Sequence, residues 1–180
     1  MNRVRLRQFV RPGLDVLFLA LNPPVQSNAN GHYFSGNRSR FYDLLFMSGL
    51  ITEAVPKSCA DEVVFGTTSV NYNRSAFGVT DLVPDLVETH SGKVRPSREH
   101  AERALDNIRR LSPRFVCVIH SKVRDALNRY GQCTRDLDYG MCGPILPACN
   151  AHFVLNYFPN GNAIPDAPKL EIFRTLKTAL

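Results

Sequence analysis

The chain has 180 residues, 44% of them hydrophobic, with 22 Lys and Arg against 16 Asp and Glu and a formal charge of +6. That length predicts one domain, residues 1–180, with enough material for a sizeable core, and the basic excess suits a polyanionic partner such as nucleic acid. No apolar run approaches the ~20 residues of a membrane span, and Met1 to Arg7 carries no signal-type apolar region before Pro12, so no membrane partner is expected and the cytoplasm, or a nucleus if the host has one, is the expected location.

The first predicted strand runs from about Leu14 to Leu21 and stops at Asn22-Pro23-Pro24, because proline has no N–H for a central ladder. A long polar loop is predicted over Val25 to Asn37, then a helix from about Ser39 to Ser48 with Phe41, Leu44 and Leu45 on one face and Gly49 as its stop. Residues 51–77 show little periodicity; Val63-Val64-Phe65 reads as a short strand or a helical turn. Gly78 to Val83 reads as a second short strand, halted by Pro84. After a basic loop, Ser97 is the expected N-cap of a helix with Ala101, Leu105, Ile108 and Leu111 as its buried stripe.

Phe115 to Ile119 is apolar throughout, as a parallel strand covered on both faces should be, with Cys117 as a small core residue. Ser121 is the expected cap of a helix to about Tyr130, and residues 132–150 read as a Gly-, Cys- and Pro-rich loop. A last strand, His152 to Asn156, precedes a helix capped by Asp166, on which Leu170, Phe173, Leu176 and Leu180 share a face. Strands alternating with helices predict an α/β chain. The five cysteines (Cys59, Cys117, Cys133, Cys142, Cys149) hold no Cys-x-x-Cys pair. Reduced thiols, no metal and no other cofactor are expected.

Asn22 falls at the carboxyl edge of a strand, where open α/β sheets bind ligands. Its amide offers donors and an acceptor, so it can position a water or read a base; the plainer reading is strand-end turn chemistry. Arg38 and Arg40 open a helix nearby, and Ser121-Lys122 lies at a helix N-terminus, a ready anion site; each is equally a solvated surface residue.

The order of these segments carries a resemblance. Leu21-Asn22-Pro23 at a strand end is followed by Gly31-His32-Tyr33-Phe34-Ser35-Gly36-Asn37-Arg38-Ser39-Arg40-Phe41-Tyr42, by Leu44 to Leu50, by Gly78-Val79-Thr80-Asp81-Leu82-Val83, by Phe115 to Ile119, and by Leu155 to Pro165 with its closing helix. This series resembles the mismatch-specific uracil/thymine-DNA glycosylases of the uracil-DNA glycosylase superfamily over nearly the whole chain, most specifically through Leu50 and more loosely over residues 51–77 and 131–165. The resemblance implies a three-layer α/β/α fold with a small, mostly parallel central sheet of about four strands. It also implies a monomeric, monofunctional glycosylase of base excision repair, acting on lesion-containing duplex or single-stranded DNA without a cofactor. Uracil opposite guanine is the default substrate.

Residue by residue, the resemblance makes Asn22 the water-positioning group and sets Leu21 and Pro23 beside the base pocket. Phe34 becomes the platform for the flipped base, with Tyr33 as the neighbouring candidate, and Asn160 a donor to a base carbonyl. Arg38, Arg40, Ser121 and Lys122 become phosphate contacts, together with Pro159, Gly161 and Asn162 of a second motif, Phe158-Pro159-Asn160-Gly161-Asn162. The chain departs from the family at several positions, and in the second motif only Pro159 and Gly161 are kept. Pro24 replaces a Gly and removes an N–H; Asn162 replaces the wedge leucine; and Asp81 replaces an Asn or Lys. An ionised Asp81 accepts from uracil N3–H or a cytosine amino group and repels an anionic leaving base, a protonated one donates, and a turn carboxylate does neither. The motif also lacks a His to stabilise the leaving group. These departures keep an altered cytosine or thymine open as substrate. They also keep open a catalytically weak or inactive damaged-base or DNA-binding module on the same fold. A nucleotide-processing α/β enzyme is more remote, since no Gly-rich phosphate loop is present.

Overall fold

The computed structural model describes residues 3–161 and 163–180. Each apolar run becomes a strand: β1 (Val16–Ala20), β2 (Phe77–Asp81), β3 (Phe115–Val118) and β5 (His152–Leu155) lie parallel. A further strand, β4 (Gly140–Pro144), joins antiparallel to β5 at one edge, giving the order β2-β1-β3-β5-β4. The helices are α1 (Val25–Asn30), α2 (Phe41–Ser48), α3 (Ala60–Val64), α4 (Arg98–Leu111), α5 (Ser121–Tyr130) and α6 (Asp166–Ala179). None is long and apolar enough to cross a membrane.

Side chains alternate along each strand, so β1 feeds two cores. Val16, Phe18 and Ala20 pack under α2, α3 and α6, where Phe18 meets Phe41 and Phe77 edge-on at centroid distances of 5.3 and 5.8 Å. Leu17, Leu19 and Leu21 pack under α4 and α5 against Leu105, Ile108, Val123 and Leu127. Helices on both faces make the three-layer α/β/α arrangement, and they explain why β1 reads as unbroken apolar sequence rather than an alternation.

Several local expectations change. The fifth strand sits in the stretch read as loop: Gly140, Gly143 and Pro144 carry no β signal, and β5's exposed edge recruits them, with a register shift between Met141 and Gly143. The expected loop after Pro24 begins instead with α1, ended by Gly31 in the left-handed region at φ 79°. Val63 and Val64 are helical. Ser97 caps α4 as expected, its side chain accepting from His100 N–H. Ser121 does not cap α5: it is the first helical residue, and His120 is the cap. Asp166 likewise opens α6 after Pro165 and does not cap it.

Gly78 explains itself by close approach. Phe9 and Val79 exchange backbone hydrogen bonds, both at 3.0 Å, and a Cβ on Gly78 would lie 2.4 Å from the Phe9 carbonyl oxygen and 2.5 Å from a Leu14 methyl. Gly78→Ala should therefore destabilise the fold by about 1–3 kcal/mol through overpacking, read as a lowered melting temperature; an unchanged one would show that the N-terminal segment does not hold β2.

Candidate active site

Chain order sends β1's connection toward β2 and β3's toward β5, so the connections diverge between β1 and β3. That divergence leaves a crevice at the strands' carboxyl ends. A cleft of about 320 Å³ occupies it, lined among others by Leu21, Asn22, Phe34, Asp81, His120 and Asn160. These residues come from widely separated segments, and five of the six, all but His120, were expected at a base pocket or as the catalytic group.

Asn22 is nearly buried, 8% exposed. Its Nδ2 donates to the carbonyls of Pro23, Leu86 and Glu88 at 3.2, 3.1 and 2.7 Å. Three acceptors around one end of an amide settle which end carries the hydrogens. Oδ1 is then the end with no partner among the described residues, the acceptor that this cleft-lining side chain has left to offer. Asn22 is thus not a freely solvated strand-edge group; it also staples the segment after β2 to the end of β1, reinforced by Glu88 N–H donating to Pro23 O at 3.0 Å. Pro23 is buried beneath, and Pro24 lines the cleft in its stead.

Phe34 is half-buried, one ring face stacked on Phe41 at 4.0 Å and 22°, with the residue lining the cleft. Its φ of 55° is uncommon for a non-glycine residue and needs support from neighbours. The buried Asp61 supplies it, accepting Tyr33 N–H at 2.8 Å while its other oxygen lies 2.9 Å from His32 Nδ1. Tyr42 adds a hydroxyl donated to Tyr33 O at 2.9 Å. Sequence reasoning missed Asp61, which lies in the unreadable 51–77 stretch and finds its partners only in three dimensions.

Tyr33 also lines the cleft but is 3% exposed, against the half-buried Phe34. Its buried hydroxyl donates to Asp81 Oδ2 at 2.8 Å. Asp81 is 5% exposed, and burial pushes its carboxyl from the ordinary 3.8 up to about 7, the Tyr33 hydrogen bond pulling weakly the other way. Tyr33's own hydroxyl is held well above its usual value by burial first and Asp81 second. The Asp81 side chain makes no bond to the turn that follows it; among the described residues, Tyr33 is its partner.

His120 went unrecognised as a site residue. It follows β3 as Asn22 follows β1, an apolar run ending in a polar side chain, and that was the available signal. Its Nδ1 accepts Lys122 N–H at 3.0 Å, which leaves the proton of a neutral ring on Nε2. Burial, then the Lys122 charge, pushes the imidazole down to about 4, so it is neutral at physiological pH. Phe158, 45% exposed, sets its ring 5.0 Å away.

The second-motif loop is held from beneath. Lys169, 1% exposed, donates to the carbonyls of Pro159 and Gly161 at 3.2 and 3.4 Å, and Asn160 Oδ1 accepts Arg40 N–H at 2.9 Å, leaving the Asn160 amide nitrogen for the cleft. Asn162 lies outside the described residues. The basic residues divide. Arg38 is exposed on the cleft rim. Arg40's guanidinium is 2.8 Å from Asp166, and Lys122's ammonium donates to the carbonyls of Ser91 and Val94. Neither Ser121 nor Lys122 lines the cleft; Lys122 lines a separate groove beside Arg95 and Tyr130. No group of three or more His, Cys, Asp or Glu side chains able to hold a metal ion gathers among the described residues.

The raised Asp81 carboxyl has a stability consequence. The folded chain holds this proton more tightly than the unfolded chain, so the group stabilises below the ordinary 3.8 and loses that contribution as pH rises toward about 7. At pH 8 the buried carboxylate costs on the order of a few kcal/mol. Asp81→Asn keeps an acceptor for Tyr33 and does not titrate. Its melting temperature relative to the parent should rise from about pH 5 to about pH 8; an equal difference at both would contradict the burial argument.

Comparison with known proteins bears on what this arrangement serves. No curated protein matches the chain at a significant level. The sequence model of the Uracil DNA glycosylase superfamily matches it over residues 7–176, a span that includes every cleft residue named above. Members of that superfamily are DNA glycosylases, hydrolases of base excision repair that act on uracil-type bases in DNA. The chain belongs to the uracil DNA glycosylase superfamily.

Proposed function

We propose that the chain is a monofunctional DNA glycosylase of the mismatch-specific uracil/thymine type, excising a flipped uracil-type or altered pyrimidine by water attack at the N-glycosidic bond. The observation that carries this reading is the cleft-lining Asn22 amide, fixed by three carbonyls so that only its oxygen is left to offer. An amide is no general base at neutral pH. Its oxygen accepts one water proton and so orients a lone pair toward the anomeric carbon, which makes its contribution positional.

The other cleft residues meet the remaining needs of the reaction. A base inside a duplex is out of reach, so it must leave the stack and enter the cleft. There the free face of Phe34 receives it, at a gain of roughly 1–3 kcal/mol that depends little on base identity. Cleavage puts positive charge on the sugar and negative charge on the departing base. His120 Nε2–H and the Asn160 amide nitrogen are donors for a base carbonyl, and a neutral donor already in place needs no reorganisation as that charge develops.

Asn22→Ala should lower single-turnover cleavage by roughly 10²-fold or more, as removal of one positioned catalytic contact does. Because three carbonyls lose their donor, it should also cost about 1–3 kcal/mol in stability. Cleavage of a panel of single lesions in single- and double-stranded DNA, with melting curves and DNA affinities alongside, reads all three. Full activity in the variant would remove Asn22 from the mechanism. Lesion-specific binding by the parent, with no cleavage of any lesion, would favour the damaged-base-binding alternative.

Phosphate binding should fall to residues with free charge. Log affinity for DNA should decline linearly with log salt, and Arg38→Ala should make that slope shallower by about 0.7–0.9, one contact's worth. Lys122→Ala should leave the slope unchanged, since its ammonium is committed to backbone carbonyls. A loss of slope in the Lys122 variant instead would place the DNA track over α5.

A further inference from the structure

Two polar groups of the cleft present one fixed face to a ligand. Asn22 offers only an oxygen, and the neutral His120 only an Nε2–H. Asp81 differs. One carboxyl oxygen takes the Tyr33 hydroxyl at 2.8 Å, while the other has no partner among the described residues; the residue lines the cleft beside Tyr33 and also borders the groove beyond β2. A carboxyl oxygen with nothing bound to it accepts when ionised and can donate when protonated.

We propose that Asp81, oriented by Tyr33, reads the hydrogen-bonding edge of the flipped base in two protonation states, and thereby admits two classes of pyrimidine. The protonated carboxyl donates to the exocyclic oxygen of an oxo base such as uracil. The carboxylate accepts from the exocyclic amino group of a cytosine-type base; a carboxylate set at the exocyclic 4-position meets an oxygen in uracil, whereas one set at N3–H would accept from uracil and give no such preference. This rests on the glycosylase reading only for the statement that a DNA base is the ligand.

Both forms are populated near neutrality, because burial pushes this carboxyl up to about 7. The groups around it keep it there. From the α1–α2 connection comes Tyr33, among the described residues the one group hydrogen-bonded to its side chain. Tyr42 of α2 and Asp61 of α3 bind the Tyr33 backbone and touch Asp81 only through it. His120, Glu88 and Arg38 line the same cleft. Arg103 of α4 lies in the groove on the other side of β2, its guanidinium turned to Leu82 O and Asp85. None of these cations forms an ion pair with Asp81 among the described residues, so nothing pulls the carboxyl back to its ordinary range.

Selectivity should therefore follow pH in a defined direction. In an affinity the base stays attached and neutral, so no leaving-group charge enters the ratio between the two classes and the hydrogen-bond preference remains. A buried polar group facing the wrong partner discriminates by about tenfold or more. The ratio of affinities, amino base over oxo base, should rise about that much between about pH 6 and about pH 8, a window in which neither base itself changes protonation.

The test uses the full chain and oligonucleotides carrying 2′-fluoroarabino-uridine or 2′-fluoroarabino-cytidine, whose glycosidic bonds resist cleavage, so affinity is read apart from turnover. In the parent the ratio should swing with a midpoint near neutrality. Asp81→Asn should flatten it. Tyr33→Phe removes the bond that favours the ionised form and should move the midpoint to higher pH, a shift that a merely structural role for Tyr33 does not produce. A flat ratio in the parent overturns the proposal. So does a swing that survives in Asp81→Asn, which would assign it to His120 or Glu88, or a Tyr33→Phe midpoint that stays or falls. Should Asp81→Asn fail to fold, the parent and Tyr33→Phe curves still decide. Absence of cleavage on any lesion defeats the glycosylase reading and leaves the affinity ratio intact; a flat ratio with active cleavage does the reverse.

Discussion

One side-chain amide joins the fold of this protein to its cleft. Asn22 follows a strand that cannot continue, because Pro23 and Pro24 offer no N–H, and its Nδ2 meets the carbonyls of Pro23, Leu86 and Glu88. Those bonds bring the segment after β2 against the end of β1 and form one wall of the cleft. They also decide which atom of Asn22 a ligand meets. A rotated amide would set an oxygen against three carbonyl oxygens, so the orientation that satisfies the backbone is also the one that presents an acceptor to water. Structural and chemical demands on this residue coincide.

Around that amide, buried polar side chains serve the backbone of loops that carry the cleft. Asp61 takes the Tyr33 N–H, Tyr42 donates to the Tyr33 carbonyl, and Lys169 holds the carbonyls of Pro159 and Gly161. Burying a carboxylate or an ammonium costs free energy unless it is well paired. Each is matched here to backbone groups that a buried loop would otherwise leave unsatisfied. The same logic accounts for Arg40 and Lys122. Side chains that the sequence places beside a strand end or a helix start are used to tie segments together, which leaves Arg38 as the rim cation with free charge.

What the sequence made legible follows from how local each signal was. β1, β3 and α4 could be read because apolar runs, a stripe of period 3.6 and a Ser N-cap depend on neighbours in the chain. Asn22 could be read because two prolines stop the strand beside it. Asp61, His120 and Lys169 could not, since what makes each matter is, in turn, a partner 28 residues away, a cap geometry invisible in one dimension, and a burial that only the fold reveals. β4 was hidden for a related reason. Its glycines and proline have little intrinsic strand preference, and pairing with β5 supplies what propensity does not. The Phe158 to Gly161 motif was legible as a tight loop, but the buried lysine beneath it was not.

The cleft that results mixes fixed and variable chemistry. Phe34 supplies an aromatic face, Asn22 an acceptor, and His120 a donor whose neutrality is secured by burial and by Lys122. None of these distinguishes strongly among pyrimidines. Asp81 is different because it sits on the sheet side of the cleft, 5% exposed, with a phenol as its partner and, among the described residues, no cation paired with its charge. A carboxyl in such a place weakens the fold once it ionises, and an apolar or amide side chain of the same size would avoid that cost. Its position therefore makes the most physical sense if the group acts on what enters the cleft, with the Tyr33 hydrogen bond fixing one oxygen so that the other is free to do so.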